Sequence, residues 1–215
     1  MKSVLITPEG IQKNLKNIKP LDAICEYIWN GFDAFATQVE VELNRNKMGL
    51  INMITIRDNG CGINYDELKY KFQPFNDSKK ANASQKTNHT LPHGRKGIGR
   101  LTFFAFSQTA RWDTVYRKDG DTYEYYISMN KDSLNQYDDN GEKLPCKVEK
   151  LTGTKVSFTQ LESMEKEDII NKIKEEFFWF LELNKENDYK IIVDKECINY
   201  SDFVEHRSEE HTSEL

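Results

Sequence analysis

Apolar residues recur along this chain with two different spacings, and the switches between them mark off most of its elements. Over residues 21–36 nearly every position is apolar or small, which predicts a helix buried almost all round. Residues 39–43 (VEVEL) then alternate apolar and polar, as a half-buried strand does. After the turn NRNKMG, residues 50–57 (LINMITIR) give a second strand. A short helix is predicted over 65–72, with Asn64 and Glu67 in a capping-box arrangement at its N-cap and N3 positions. Residues 73–96 are polar and without period, and a stretch of that length inside a compact domain is either a functional lid or disordered. From 97 to about 107 the chain turns apolar and helical (GIGRLTFFAFS). Residues 109–117 and 122–129 form a hairpin around KDGD, and a second polar stretch over 130–146 leads through KVEK and LTG to the strand TKVSF. An amphipathic helix over 165–183 carries Ile169, Ile170, Ile173, Phe177, Phe178 and Leu181 on one side. A last hairpin pairs YKIIVD with CINY, and no segment repeats another. Helices, then antiparallel hairpins, then another helix predict an α+β sandwich with helices on one sheet face.

Composition narrows the classes without choosing one. At 38% hydrophobic and 12% aromatic residues, the 215-residue chain can bury a core, which excludes wholesale disorder. The 30 basic and 35 acidic residues are intermixed and net to −5, so charge gives no bias toward nucleic acid or anionic lipid. No apolar run approaches the roughly 18 residues of a membrane span. Cys25, Cys61, Cys146 and Cys197 lie far apart with no CxxC pair, and read as reduced thiols of a cytoplasmic protein. His89 and His93 are four apart, but Pro92 between them argues against a metal-binding helix. Residues 207–215 (RSEEHTSEL) break the preceding pattern and resemble a translated sequencing-library adapter. The expectation is therefore one domain over 1–206, a non-native tail, and further C-terminal domains in the natural protein.

The chemistry concentrates in three places. Within AICEYIWNGFDAFA only Glu26, Asn30 and Asp33 are strongly polar, and their i, i+4, i+7 spacing lines them along one stripe of the helix. A buried carboxylate needs a partner, so the stripe points either to a ligand-holding polar cavity or to groups capping backbone inside the core. Asp58-Asn59-Gly60-Cys61-Gly62 directly follows a strand. It reads as a hairpin turn, or as a carboxylate at a pocket floor where Gly60 and Gly62 let a flat ligand approach the backbone. His93-Gly94-Arg95-Lys96-Gly97-Ile98-Gly99-Arg100 stands between the long polar stretch and an apolar helix. It is a phosphate cradle at a helix start or a solvated surface loop, and it fits neither a Walker A loop nor a Rossmann fingerprint.

Taken in order, the E-x-x-x-N-x-x-D helix, the strand ending in D-x-G-x-G, the glycine-rich segment and Thr152-Gly153-Thr154 before KVSF resemble the motifs of the GHKL ATPases. That superfamily comprises gyrase, heat-shock-90 chaperones, histidine kinases and MutL, and the resemblance covers roughly residues 10–200. It implies the Bergerat ATP-binding fold, a two-layer sandwich with a mixed, mostly antiparallel sheet. It implies ATP and Mg²⁺ as cofactors, with Glu26 as the general base and Asn30 as the metal-holding residue. Asp33 would support the site, Asp58 would accept from the adenine amino group, and Thr154 would help hold the base. Gly60, Gly62 and Ile63 would shape the base pocket, and Gly94, Arg95, Lys96, Gly97, Ile98 and Gly99 would close over the phosphates. The segment 74–80 (PFNDSKK) sits where MutL and chaperone relatives carry a lid-contacting Ser/Thr-Lys element.

Three functions follow from that likeness. The first is a Mg²⁺-dependent ATPase of the heat-shock-90/MutL-like branch that dimerises on binding ATP, with a client protein or DNA engaged through further domains and no membrane. Several branches supply a γ-phosphate lysine from the following domain, so turnover by this domain alone is expected to be slow. The second is a nucleotide-gated interaction module without useful turnover, with Val4, Leu5 and Ile6 as an exchanged strand. The third is a histidine-kinase catalytic domain, which Glu26 and Asp33 disfavour.

Overall fold

The computed structural model describes residues 7–72, 98–140, 144–201 and 203. Its frame is a sheet of nine strands among those residues. The strands are β1 (Gln38–Arg45), β2 (Ile51–Asp58), β3 (Ser107–Lys118), β4 (Asp121–Asn130), β5 (Asp138–Asp139), β6 (Cys146–Val148), β7 (Gly153–Leu161), β8 (Lys190–Val193) and β9 (Glu196–Cys197). Their order is β5-β4-β3-β7-β2-β1-β8-β9, with β6 also on β4, and every pairing among these described strands is antiparallel except β1 with β8, so the sheet is mixed and mostly antiparallel.

Strand periodicity decides which face is covered. Val39, Val41 and Leu43 of β1 are buried, and register places Val41 beside Ile56 and Leu43 beside Ile54. The same rows run on through Val156 and Phe158 of β7 into Trp112 and Ala110 of β3. Residues between them, such as Glu42, Arg57 and Arg111, point to the opposite, solvated face. There Arg111 pairs with Asp113 and lies 4.0 Å over the Tyr126 ring. One apolar face and one polar face make two layers rather than three.

The covering layer is built on α2 (Pro20–Asp33) and α4 (Lys166–Leu183). Trp29 and Phe32 of α2 pack against Phe177 and Phe180 of α4, with ring centroids as close as 4.5 Å. Trp29 also donates to Glu176, and Lys172 pairs with Asp22 at 2.9 Å. Two further helices are α1 (Pro8–Leu15) and α3 (Leu68–Phe72). Helix α1 shows no apolar period in the sequence and is held by only two buried side chains, Ile11 and Leu15, behind a Thr7 cap.

One element differs in kind. The apolar segment after the glycine-rich stretch is a 3₁₀ helix over Gly99–Ala105 rather than an α-helix. Side chains intercept the groups an α-helix would use. The Thr102 hydroxyl donates to the Gly99 carbonyl at 2.7 Å, and the Tyr27 hydroxyl donates to that of Arg100 at 2.8 Å. The Phe103 N–H in turn donates to Tyr27 Oη at 3.3 Å. Tyr27 thereby ties this segment to α2.

Phe177 is fully buried at the α2–α4 contact. Phe177→Ala is expected to destabilise the fold by about 3–5 kcal/mol, measured by denaturant unfolding, because the rigid aromatic neighbours cannot collapse into the void.

Candidate functional site

Glu26, Asn30 and Asp33 line one wall of a cavity of about 500 Å³ between α2 and the sheet. Asp58, Gly62, Ile63, Thr154 and Val156 contribute the sheet side and its connecting loop, and Gly99 and Arg100 close the far end. The helical stripe and the strand-end carboxylate, predicted separately, thus open into one space.

A close approach sets the depth of that space. An added Cβ at Gly31 would stand 2.9 Å from Val39 Cγ2 and 3.0 Å from Asp58 Cβ, so α2 rests directly on β1 and the end of β2. Just beyond, Gly60 passes under the end of α2, where a Cβ would lie 2.5 Å from the Ala34 carbonyl oxygen. The Cys61 N–H donates to that same carbonyl at 2.9 Å. Asn59 clips the loop from the other side, its Oδ1 accepting from Thr37 N and Gln38 N at 2.9 and 3.0 Å. Gly62 has φ +73, and a Cβ there would strike the Val115 carbonyl at 2.1 Å. The D-x-G-x-G glycines are therefore required by backbone approach, and the loop is not a hairpin turn: a 3₁₀ turn (Tyr65–Glu67) and α3 follow it.

Asp58 lies deep in this frame. Its Oδ1 accepts from Gly60 N at 2.8 Å and Thr154 N at 3.2 Å, so Oδ2 takes part in neither bond. Burial pushes its carboxyl up to about 6, against the two backbone donors that favour the ionised form. Thr154, itself buried, shares a 3.2 Å hydroxyl contact with Thr114, whose Oγ1 also accepts from Ile63 N at 2.9 Å. Thr114 escaped the sequence reading. Its signal was a hydroxyl within the core-facing row Ala110, Trp112, Thr114, Tyr116 of β3.

At the opposite end, a Cβ on Gly99 would lie 3.1 Å from Glu26 Oε2 and within 4 Å of both Asn30 side-chain heteroatoms. Gly99 thus leaves open the space in front of these two residues. Arg100 also lines the cavity, with Nη2 donating to the Phe72 carbonyl at 3.0 Å and its guanidinium 5.7 Å from the Phe72 ring centre. Ile98 packs against the core. Gly94, Arg95, Lys96 and Gly97, the segment 74–80, residues 4–6 and the tail 207–215 lie outside the described residues. Among those that are described, no helix is long and apolar enough to cross a membrane.

The raised Asp58 carboxyl has a stability consequence of definite sign. With the folded value above the ordinary 3.8, the native state holds the proton more tightly than the unfolded chain. Stability associated with Asp58 is full below about 3.8 and is lost as pH rises through about 6. In Asp58→Asn, the amide oxygen can accept both backbone bonds without that loss. The ligand-free variant is expected to gain stability over wild type at pH 7.5, with the gain shrinking toward pH 5, as measured by chemical denaturation at both values.

Comparison with known proteins gives the family. Residues 18–174 match the family model described as histidine kinase-, DNA gyrase B- and HSP90-like ATPase. A protein of Schizosaccharomyces pombe named as a MutL protein homolog 1 is 44% identical over 61 residues, 28% of this chain and 8% of that protein. DNA mismatch repair protein MutL of Enterobacter sp. strain 638 is 42% identical over 50 residues, 23% of this chain and 8% of its own. A protein of Herpetosiphon aurantiacus named as the type II restriction enzyme HgiDII is 28% identical over 120 residues, 55% of this chain and 17% of its own. The aligned segments span less than a fifth of each of these relatives. With the model match extending from before α2 into α4, the chain belongs to the histidine kinase-, DNA gyrase B- and HSP90-like ATPase family.

Proposed function

We propose that this domain binds ATP with Mg²⁺ in the α2–sheet cavity and hydrolyses it to ADP and phosphate. The observation that carries the reading is the opening of Glu26, Asn30 and the half-buried Asp58 into one cavity, with Glu26 and Asn30 at its Gly99 end. Asp58 Oδ2 accepts from the adenine amino group, a donor that guanine lacks at that position. Thr154 supports the base edge, and Gly60, Gly62 and Ile63 shape the base pocket. Asp33 supports the site from the same helix stripe. Gly94, Arg95, Lys96, Gly97, Ile98 and Gly99 contact the phosphates from the glycine-rich segment.

The residues present suit the metal. Mg²⁺ characteristically takes one or two protein oxygens and completes its shell with substrate phosphates and water. Asn30 Oδ1, facing the space that a side chain at residue 99 would fill, is such a donor. When bound, the ion neutralises phosphate charge and orients the terminal phosphoryl group. Glu26 accepts a proton from the attacking water as its oxygen bonds to the γ-phosphorus, and the bond from that phosphorus to the β–γ bridging oxygen breaks. Most of the acceleration is positioning and charge neutralisation, with the carboxylate adding general-base assistance. Closure of the glycine-rich segment and dimerisation on ATP binding complete the proposed cycle. Because a matched relative is named as a DNA mismatch repair protein, DNA is the proposed partner of the whole protein, with a client protein as the alternative, either one engaged through further domains.

Two measurements test this. Calorimetric titration of Mg-ATP should show binding in the micromolar to millimolar range that Asp58→Asn abolishes, because an amide nitrogen at Oδ2 opposes the adenine donor. Glu26→Gln should retain ATP while phosphate release falls by at least roughly 100-fold. No binding by the wild type would overturn the reading. Binding with unchanged turnover in Glu26→Gln would remove the role of Glu26. ATP retained by the wild type with a change in oligomeric state and no phosphate release would favour the interaction module.

A further inference from the structure

Phe35 is out of place by two independent criteria. It follows the C-terminus of α2, where Ala36 N donates to Gly31 O at 3.1 Å and Phe35 N to Phe32 O at 3.0 Å. Those two bonds form a Schellman cap, whose αL position is most often glycine because a Cβ is strained there. Phe35 occupies that position with φ 64. The residue is also 68% exposed, so burial does not offset the strain. A bulky residue held left-handed and largely in solvent gains little for the fold and marks a functional constraint.

Its location indicates which one. Phe35 lines the mouth of the α2–sheet cavity. The helix runs from Glu26, beside Gly99, to Ala34, whose carbonyl meets Gly60 next to the Asp58 carboxylate. Phe35 therefore stands at the Asp58 end of the cavity, about 13 Å along the helix axis from Glu26. At that end the cavity is lined by the Asp58 carboxylate and by Thr154, whose hydroxyl is held by Thr114, and Val156 and Ile63 add apolar surface.

We infer that Phe35 is a base-positioning residue whose aromatic face stacks on the exposed side of the purine ring that Asp58 holds by its edge. The inference rests on the ATP-binding reading above. Stacking on a rim aromatic is independent of which groups the edge presents, so Phe35 adds affinity and orientation while Asp58 sets the choice of base. The strained cap fixes the backbone that carries the ring at the mouth, limiting the conformational freedom lost on binding.

The test is calorimetric titration of Mg-ATP into the wild-type chain and the F35G, F35L and F35W variants, with thermal melts of each without ligand. F35G should hold or raise the melting temperature, because glycine suits the cap, while its ATP dissociation constant rises roughly 10-fold. F35L keeps the left-handed strain and the apolar bulk but has no π face, and should weaken ATP alongside F35G. F35W should return the affinity to near the wild-type value. Wild-type binding that F35G or F35L matches overturns the stacking role and leaves the nucleotide site intact. A loss of affinity in F35G alone, accompanied by a lower melting temperature, overturns it in favour of a structural cap. A wild-type chain that binds no Mg-ATP removes the underlying reading and this inference with it.

Discussion

The contact between Gly31 and the two strands beneath it governs the rest of the molecule. With no Cβ in the way, α2 settles onto Val39 and Asp58 at a distance that another residue type would forbid. That depth turns Glu26 and Asn30 toward the cavity and places Trp29 and Phe32 in the aromatic layer with α4. It also brings the end of the helix over Gly60, so the loop after β2 can close against the Ala34 carbonyl. Helix, strand end and loop are one rigid unit because a single small residue allows them to touch.

The unit carries features that a purely structural core would not keep. An aspartate is held where its charge is disfavoured, two glycines are compressed against carbonyls, and an aromatic residue occupies a glycine position in solvent. Such departures cluster at working sites, where the surrounding fold over-determines them. Here the surroundings are the buried rows of β1, β2, β7 and β3 on one side and the α2–α4 aromatic contact on the other. Their regularity leaves the irregular parts little freedom to relax.

What could be read from the chain follows from how local each signal is. The α2 stripe was legible because three polar residues in an apolar helix are conspicuous and their spacing fixes their direction. The alternation in VEVEL announced β1, and the amphipathic run over 165–183 announced α4 to within a residue. By contrast α1 rests on two apolar anchors, too few to show a period. The 3₁₀ segment read as an α-helix because the group that diverts it, the Tyr27 hydroxyl, lies on another element. Thr114 became visible only once β3 and β7 were paired, since its partners Ile63 and Thr154 are far away in sequence. The expected end of α2 overran its true end at Asp33, because composition favours helix through Ala36 while the left-handed turn at Phe35 is imposed from outside.

The one parallel pairing among the described strands constrains how this domain is made. Strand β1 emerges early in synthesis, yet its second edge is covered only when Val39 and Val41 meet Ile191 and Val193, after α4 has carried the chain back across the layer. The floor of the cavity waits as well, because Asp58 lacks its Thr154 donor until β7 has left the ribosome. Until β8 is made, the nascent chain therefore holds a half-apolar strand with an open edge, the kind of surface that recruits neighbouring chains. Completion of β8 ends that exposure, so a strand made late in this domain protects one made early from aggregation.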